Sequence, residues 1–138
     1  MTCTFFGHSN CPDSIKADIY DSIIYLIENK NVTTFLVGNQ GNFDRLVLLT
    51  LQVIQSEYRH IRYSVVLAYM PKSASNNLAH SIFPEGLENI PPAYAISHRN
   101  KWMITQSDYV ITYVRHKTGG ASKFKDYATK KNKIIIEL

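Results

Sequence analysis

The stretch YVITYVRHKTGGASKF, residues 109–124, decides the fold. It opens on six apolar or β-favouring residues, Tyr109 to Val114, bounded by charge. Such a run reads as a strand buried on both faces. Arg115-His116-Lys117-Thr118 follows, and then the pair Gly119-Gly120 opens a run with Phe124 and Ala128 on one helical face. A strand, a glycine-bearing turn and a helix make the repeating unit of a parallel sheet.

Working outward, the same unit recurs. Thr2-Cys3-Thr4-Phe5-Phe6 is a strand stopped by Gly7, and residues 14–29 place Ile15, Ile19, Ile23 and Ile27 four apart on one helix face. Pro12-Asp13-Ser14 gives that helix its start, with Asp13 or Ser14 as the cap. Thr33 to Val37 is a second strand stopped by Gly38, and a helix from Asn42 to Tyr58 carries Phe43, Val47, Leu51 and Ile54. YSVVLAY, 63–69, is a third strand. Residues 70–93 hold Pro71, Pro84, Pro91 and Pro92 and read as an irregular loop, of a length that is often functional. A helix from Ser97 or His98 to Gln106 precedes the Tyr109 strand, and Ile134-Ile135-Ile136 closes the chain. Apolar strands separated by helices predict a single α/β domain over 1–138. Its expected sheet is Rossmann-like, parallel and five-stranded, in the order 3-2-1-4-5 with helices on both faces; the flavodoxin-like order is the alternative.

The 138 residues suit one domain, and 45% hydrophobic with 19% charged residues exclude a disordered or low-complexity chain. Cys3 and Cys11 are too few for a disulfide framework or a four-ligand zinc site, so they read as reduced structural thiols, and no metal or cofactor is expected. Neither a membrane span of about 18 apolar residues nor a signal peptide is apparent, which points to a cytoplasmic protein. The net charge of +4 is uneven. Residues 99–138 carry nine Lys/Arg against three Asp/Glu, whereas residues 1–98 carry six against eight. A basic last third favours phosphate-bearing ligands.

Ligands of such sheets bind beyond the C-terminal ends of the strands. The residues there are Gly7-His8-Ser9-Asn10 after the first strand, Gly38-Asn39-Gln40-Gly41-Asn42-Phe43-Asp44-Arg45 after the second, Tyr69 at the third, and Arg115-His116-Lys117-Thr118-Gly119-Gly120-Ala121-Ser122-Lys123 after the fourth. Glycine lets backbone N–H groups approach a ligand, and a helix start offers free N–H donors to phosphate. Asp44 stands where it can hold a ribose hydroxyl or complement a helix dipole. Arg99 is a candidate anion contact. Neither GxxxxGK[ST] nor GxGxxG occurs. Trp102, Met103 and Ile104 read as core or interface.

GHSNCPDS, VGNQGNFD, PEG, SHRNKWM, SDYVITYV and TGGASKF together resemble the small standalone YpsA-like branch of the SLOG superfamily, from Cys3 to the C-terminus. The superfamily includes the LOG phosphoribohydrolases and the DprA nucleic-acid-binding proteins. The resemblance implies a Rossmann-like domain that binds a nucleotide or nucleotide-derived signal. It also implies a homodimer or higher homo-oligomer, for which Tyr94, Trp102 or Tyr113 can serve. A LOG-like N-glycosidic hydrolase is the alternative. Arg99 and Met103 match the first part of the LOG signature, and Gly119 to Asp126 overlays PGGxGTxxE, with Asp126 at the catalytic carboxylate and Ser122 and Lys123 replacing its second glycine and threonine. Ser9 stands where the branch has arginine. The missing effector domain suggests a sensor subunit or a sponge that sequesters a signal, as some phage anti-defence proteins do. DNA or RNA binding of the DprA type ranks third.

Overall fold

Alternation along the first strand sets both layers of the structure. In the computed structural model, which describes residues 1–70 and 80–138, β1 spans Thr2–Gly7. Cys3 and Phe5 point to one face of the sheet, Thr4 and Phe6 to the other, and all four are buried. The chain then gives α1 (Lys16–Lys30), β2 (Thr34–Val37), α2 (Gly41–Glu57), β3 (Arg62–Val66), β4 (Ser81–Ile82), α3 (Pro92–Gln106), β5 (Tyr109–Tyr113), α4 (Gly120–Lys130) and β6 (Ile134–Glu137). Short 3-10 turns lie at Asp13–Ile15 and Leu87–Asn89.

The strands form one fully parallel sheet in the order β4-β3-β2-β1-β5-β6. The five strands expected from the sequence take the expected order. The sixth, β4, adds a two-residue edge beside Val65 and Val66 from within the stretch read as a loop. On one face, Ile19, Ile23, Leu26 and Ile27 of α1 and Phe43, Val47, Leu51 and Ile54 of α2 pack over Phe5, Phe35 and Ile111. On the other, Met103 and Ile104 of α3 and Phe124 and Ala128 of α4 pack over Phe6, Leu36 and Val110. Each face thus carries a period-3.6 stripe against a period-2 strand face.

Three local expectations change. α3 starts at Pro92 rather than at Ser97, because proline at the first helical position already has helical φ and has no N–H to lose. Neither Asp13 nor Ser14 caps the first helix; Pro12 precedes the 3-10 turn and Ile15 precedes α1, with no side-chain cap bond at either. Asp13 instead accepts from Asn42 and Arg45. The third strand ends at Val66, leaving Tyr69 beyond it. Of the proline-rich stretch, Pro71 lies outside the described residues. Both cysteines are free and buried, and burial pushes both thiols up from their ordinary values. Among the described residues no helix is long and apolar enough to cross a membrane.

Candidate functional site

Strand order reverses between β1 and β5, since the chain leaves β1 for β2 on one side and returns to β5 on the other. Loops diverge at such a point and leave a crevice. Here the crevice is a cleft of about 400 Å³ over the C-terminal ends of the strands. Gly7, His8, Ser9 and Asn10 line it from the first loop, Gln40 and Asp44 from the second, His116, Thr118 and Gly119 from the loop after β5, and Gly120 and Ala121 from the start of α4. Its apolar wall is Phe5, Phe6, Ile96, Met103 and Phe124, and Arg99 and Asn100 complete it.

Hydrogen bonds stitch the three loops together. The Asn42 N–H donates to the Ser9 carbonyl at 2.8 Å, and Asn42 Nδ2 donates to the Cys11 carbonyl and to Asp13 at 2.8 Å each. His8 Nε2 accepts the Arg115 N–H at 2.7 Å. That bond assigns the proton of the neutral ring to Nδ1. Burial, the adjacent His116 ring (4.7 Å between centroids) and Arg115 all lower the His8 pKa, so the neutral form is favoured.

Two of the glycines allow close packing. A Cβ on Gly7 would lie 2.3 Å from the Phe43 ring. A Cβ on Gly38 would lie 2.8 Å from Asp44 Oδ2 and 3.1 Å from Arg99 Cζ, so the bare backbone lets carboxylate and guanidinium close on it from two sides. Gly41 needs its φ of +84°, and a Cβ there would strike Ser9 at 2.4 Å. The Gly119-Gly120 pair behaves differently. Gly119 has φ +101°, and a Cβ on either residue meets nothing within 4 Å. Gly120 therefore opens directly onto the cleft. The first bond of α4 runs from the Lys123 N–H to the Gly119 carbonyl, which leaves the N–H groups of Gly120, Ala121 and Ser122 without intrahelical acceptors.

Arg99 is 1% exposed, in the middle of α3. Its Nε donates to Asn100 Oδ1 at 2.7 Å, and Nη1 donates to the Val66 carbonyl at 2.9 Å and to Asn39 Oδ1 at 3.1 Å. It thereby ties α3 to the ends of β2 and β3. Burial lowers its pKa, and Asp44 opposes that shift. Asp44, half-buried, accepts the Gln40 N–H at 2.9 Å. Burial pushes its carboxyl up to about 6, against the opposing pull of that bond and of Arg99.

The other expected site residues lie away from the cleft. Arg45 is exposed and bonds Asn42 Oδ1 and Asp13. Tyr69 donates its hydroxyl to the Pro92 carbonyl at 2.9 Å. Asn39 supports Arg99. Ser122 turns its hydroxyl to the Lys117 carbonyl at 3.0 Å. Lys123 and Asp126 line a second groove, about 640 Å³, with Lys101, Lys117, Tyr127 and Lys130. Arg99 and Asp126, paired by the hydrolase reading, thus line different cavities. Of the aromatics expected at an interface, Tyr94 is exposed, Trp102 packs on the α3–α4 core, and the Tyr113 ring lies 4.3 Å beneath the Arg115 guanidinium.

Two lining residues lie outside the strand-end stretches that the sequence points to, Ile96 and Asn100. A signal existed on α3, where Ile96, Arg99, Asn100 and Met103 share one helix face.

No protein-family model matches the chain, and no curated protein matches it. Among solved structures, the X-ray structure of DNA processing protein A (DprA) from Streptococcus pneumoniae matches with a TM-score of 0.68 at 14% identity, covering 99% of this chain and 49% of that one. The chain spans about half the length of that protein, and at this identity the likeness establishes a DprA-like fold.

Proposed function

We propose that the domain binds a nucleotide-derived small molecule in the cleft, with a phosphate on the free amides of Gly120 and Ala121 and the base against the wall of Ile96, Met103 and Phe124. One observation carries the reading: a Cβ on Gly120 would meet open space at a helix start that lines the cleft. Backbone N–H donors at such a position suit an anion, and an apolar wall with few polar groups suits a small ligand. His8, neutral with Nδ1–H as donor, and Asp44 supply polar contacts from the same lining. Membership of the YpsA-like SLOG branch belongs to this reading, and the DprA-like fold supports it at the level of architecture.

Binding is favoured over N-glycosidic hydrolysis because the LOG-like carboxylate, Asp126, lines the neighbouring groove instead of the cleft. Mass spectrometry of small molecules that co-purify with the protein, followed by incubation with nucleoside 5′-monophosphates, tests the assignment. A retained nucleotide and no free base are expected. Release of free base would replace the binding reading with the hydrolase.

A second reading, nucleic-acid binding, is favoured by the likeness in fold to a DNA processing protein and by the lysines beside α4. Tight binding of a single-stranded oligonucleotide with a steep salt slope would bring it forward.

A further inference from the structure

The cleft has a neighbour at the start of α4. Thr118, Gly119 and Phe124 line both it and the 640 Å³ groove beyond. The groove has a different character. Lys101 from α3, Lys117 from the loop after β5, and Lys123 and Lys130 from α4 border it, with Asp126 as the one carboxylate on its lining. Ion pairing does not consume these cations: among the described residues the two ion pairs are Arg45–Asp13 and Lys125–Glu137. All four lysines are exposed. Lys101 is held near the Tyr127 ring and Lys123 near the Phe124 ring, at 5.5 and 5.4 Å. Four lysines outside any ion pair, from α3, the loop after β5 and α4, thus border a groove that adjoins the cleft at Gly119. Four like charges against one carboxylate raise the local potential and attract a multivalent anion.

Resting on the nucleotide-binding reading of the cleft, we propose that the ligand carries a phosphate chain rather than a single phosphate. The phosphate next to the sugar sits on the Gly119-Gly120 edge, and the further phosphates extend into the lysine groove. The protein then discriminates among nucleotides by phosphate number, through groups that touch neither base nor sugar.

Isothermal titration of the full chain tests this, with adenosine and guanosine 5′-monophosphates and the matching 5′-triphosphates as probes. The variants are the triple substitution Lys101→Gln, Lys117→Gln, Lys123→Gln and, separately, Gly120→Val. The triphosphate should bind about tenfold or more tightly than the monophosphate of the same base, as one charge-assisted contact provides. That gap should shrink towards unity in the triple variant, with monophosphate affinity unchanged, and it should narrow at high salt. Equal affinities for mono- and triphosphate in the unaltered protein would overturn the proposal, as would a gap that survives the lysine substitutions. Lysine-dependent binding of a single-stranded oligonucleotide that triphosphates do not displace would also overturn it, assigning the groove to nucleic acid. Failure of the underlying reading looks different: Gly120→Val would leave both nucleotide affinities intact, or neither nucleotide would bind at all.

Discussion

Gly38 illustrates how the cleft is set by the absence of an atom. Its missing Cβ leaves room for Asp44 and Arg99, and a Gly38→Ala change would force one of them to move. Overpacking of this kind should cost about 1–3 kcal/mol, read as a lower urea midpoint. The sequence offers Arg99 as an anion contact near a helix start, where a charged residue usually is exposed; in the fold it lines the cleft but is buried. Its burial depends on α3 beginning five residues earlier and on Val66 and Asn39 arriving from other elements, which no local pattern encodes. Arg99→Ala should therefore act first on stability. It removes three hydrogen bonds and leaves buried acceptors unpaired, a loss of about 3 kcal/mol. Asp44 adds a pH dependence with a definite sign. Burial raises its folded carboxyl to about 6, above the ordinary value of 3.8, so between those values the folded chain binds more protons than the unfolded one. Stability contributed by Asp44 thus falls as pH rises from about 4 to about 6. Asp44→Asn should gain stability relative to the unaltered protein at pH 7 compared with pH 4, in paired denaturant titrations. A constant difference across that range would show that Asp44 is not held in its protonated form.

At the scale of elements, the glycine turns divide into two kinds that the sequence did not separate. Gly41 opens α2 with a positive φ and lies against Ser9, whereas Gly120 opens α4 into empty space. Gly41→Ala should destabilise the fold by about 1–3 kcal/mol, while Gly120→Ala should be neutral or stabilising by up to about 1 kcal/mol. Thermal melts of the two variants, measured side by side, check the contrast. The start of α3 was missed because Pro91 and Pro92 were read as loop residues, although proline suits the first helical position. β4 was missed for a different reason. Two residues of intermediate burial carry no period, and only the neighbouring edge of β3 makes them a strand. By contrast, β1, β2, β3 and β5 are marked by apolar runs that a sheet covered on both faces requires.

At the scale of the molecule, topology does most of the work. The parallel order, with β1 between β2 and β5, brings His8, Asp44 and Gly120 to one rim although they are more than a hundred residues apart at the extremes. That convergence was legible, since glycines and polar residues follow each of those strands. Its division into a cleft and a neighbouring lysine groove was not, because the two faces of α4 diverge only once the helix is packed through Phe124 and Ala128. The DprA-like architecture supplies the scaffold, and the proposed binding rests on the edge at Gly119-Gly120. Calorimetric titration of nucleoside 5′-phosphates into the unaltered protein and into Gly120→Val tests that edge most directly. Binding by the first and a loss of about a hundredfold or more in the second, with circular dichroism and melting unchanged, is the expected result. Equal affinity in the two proteins would contradict it.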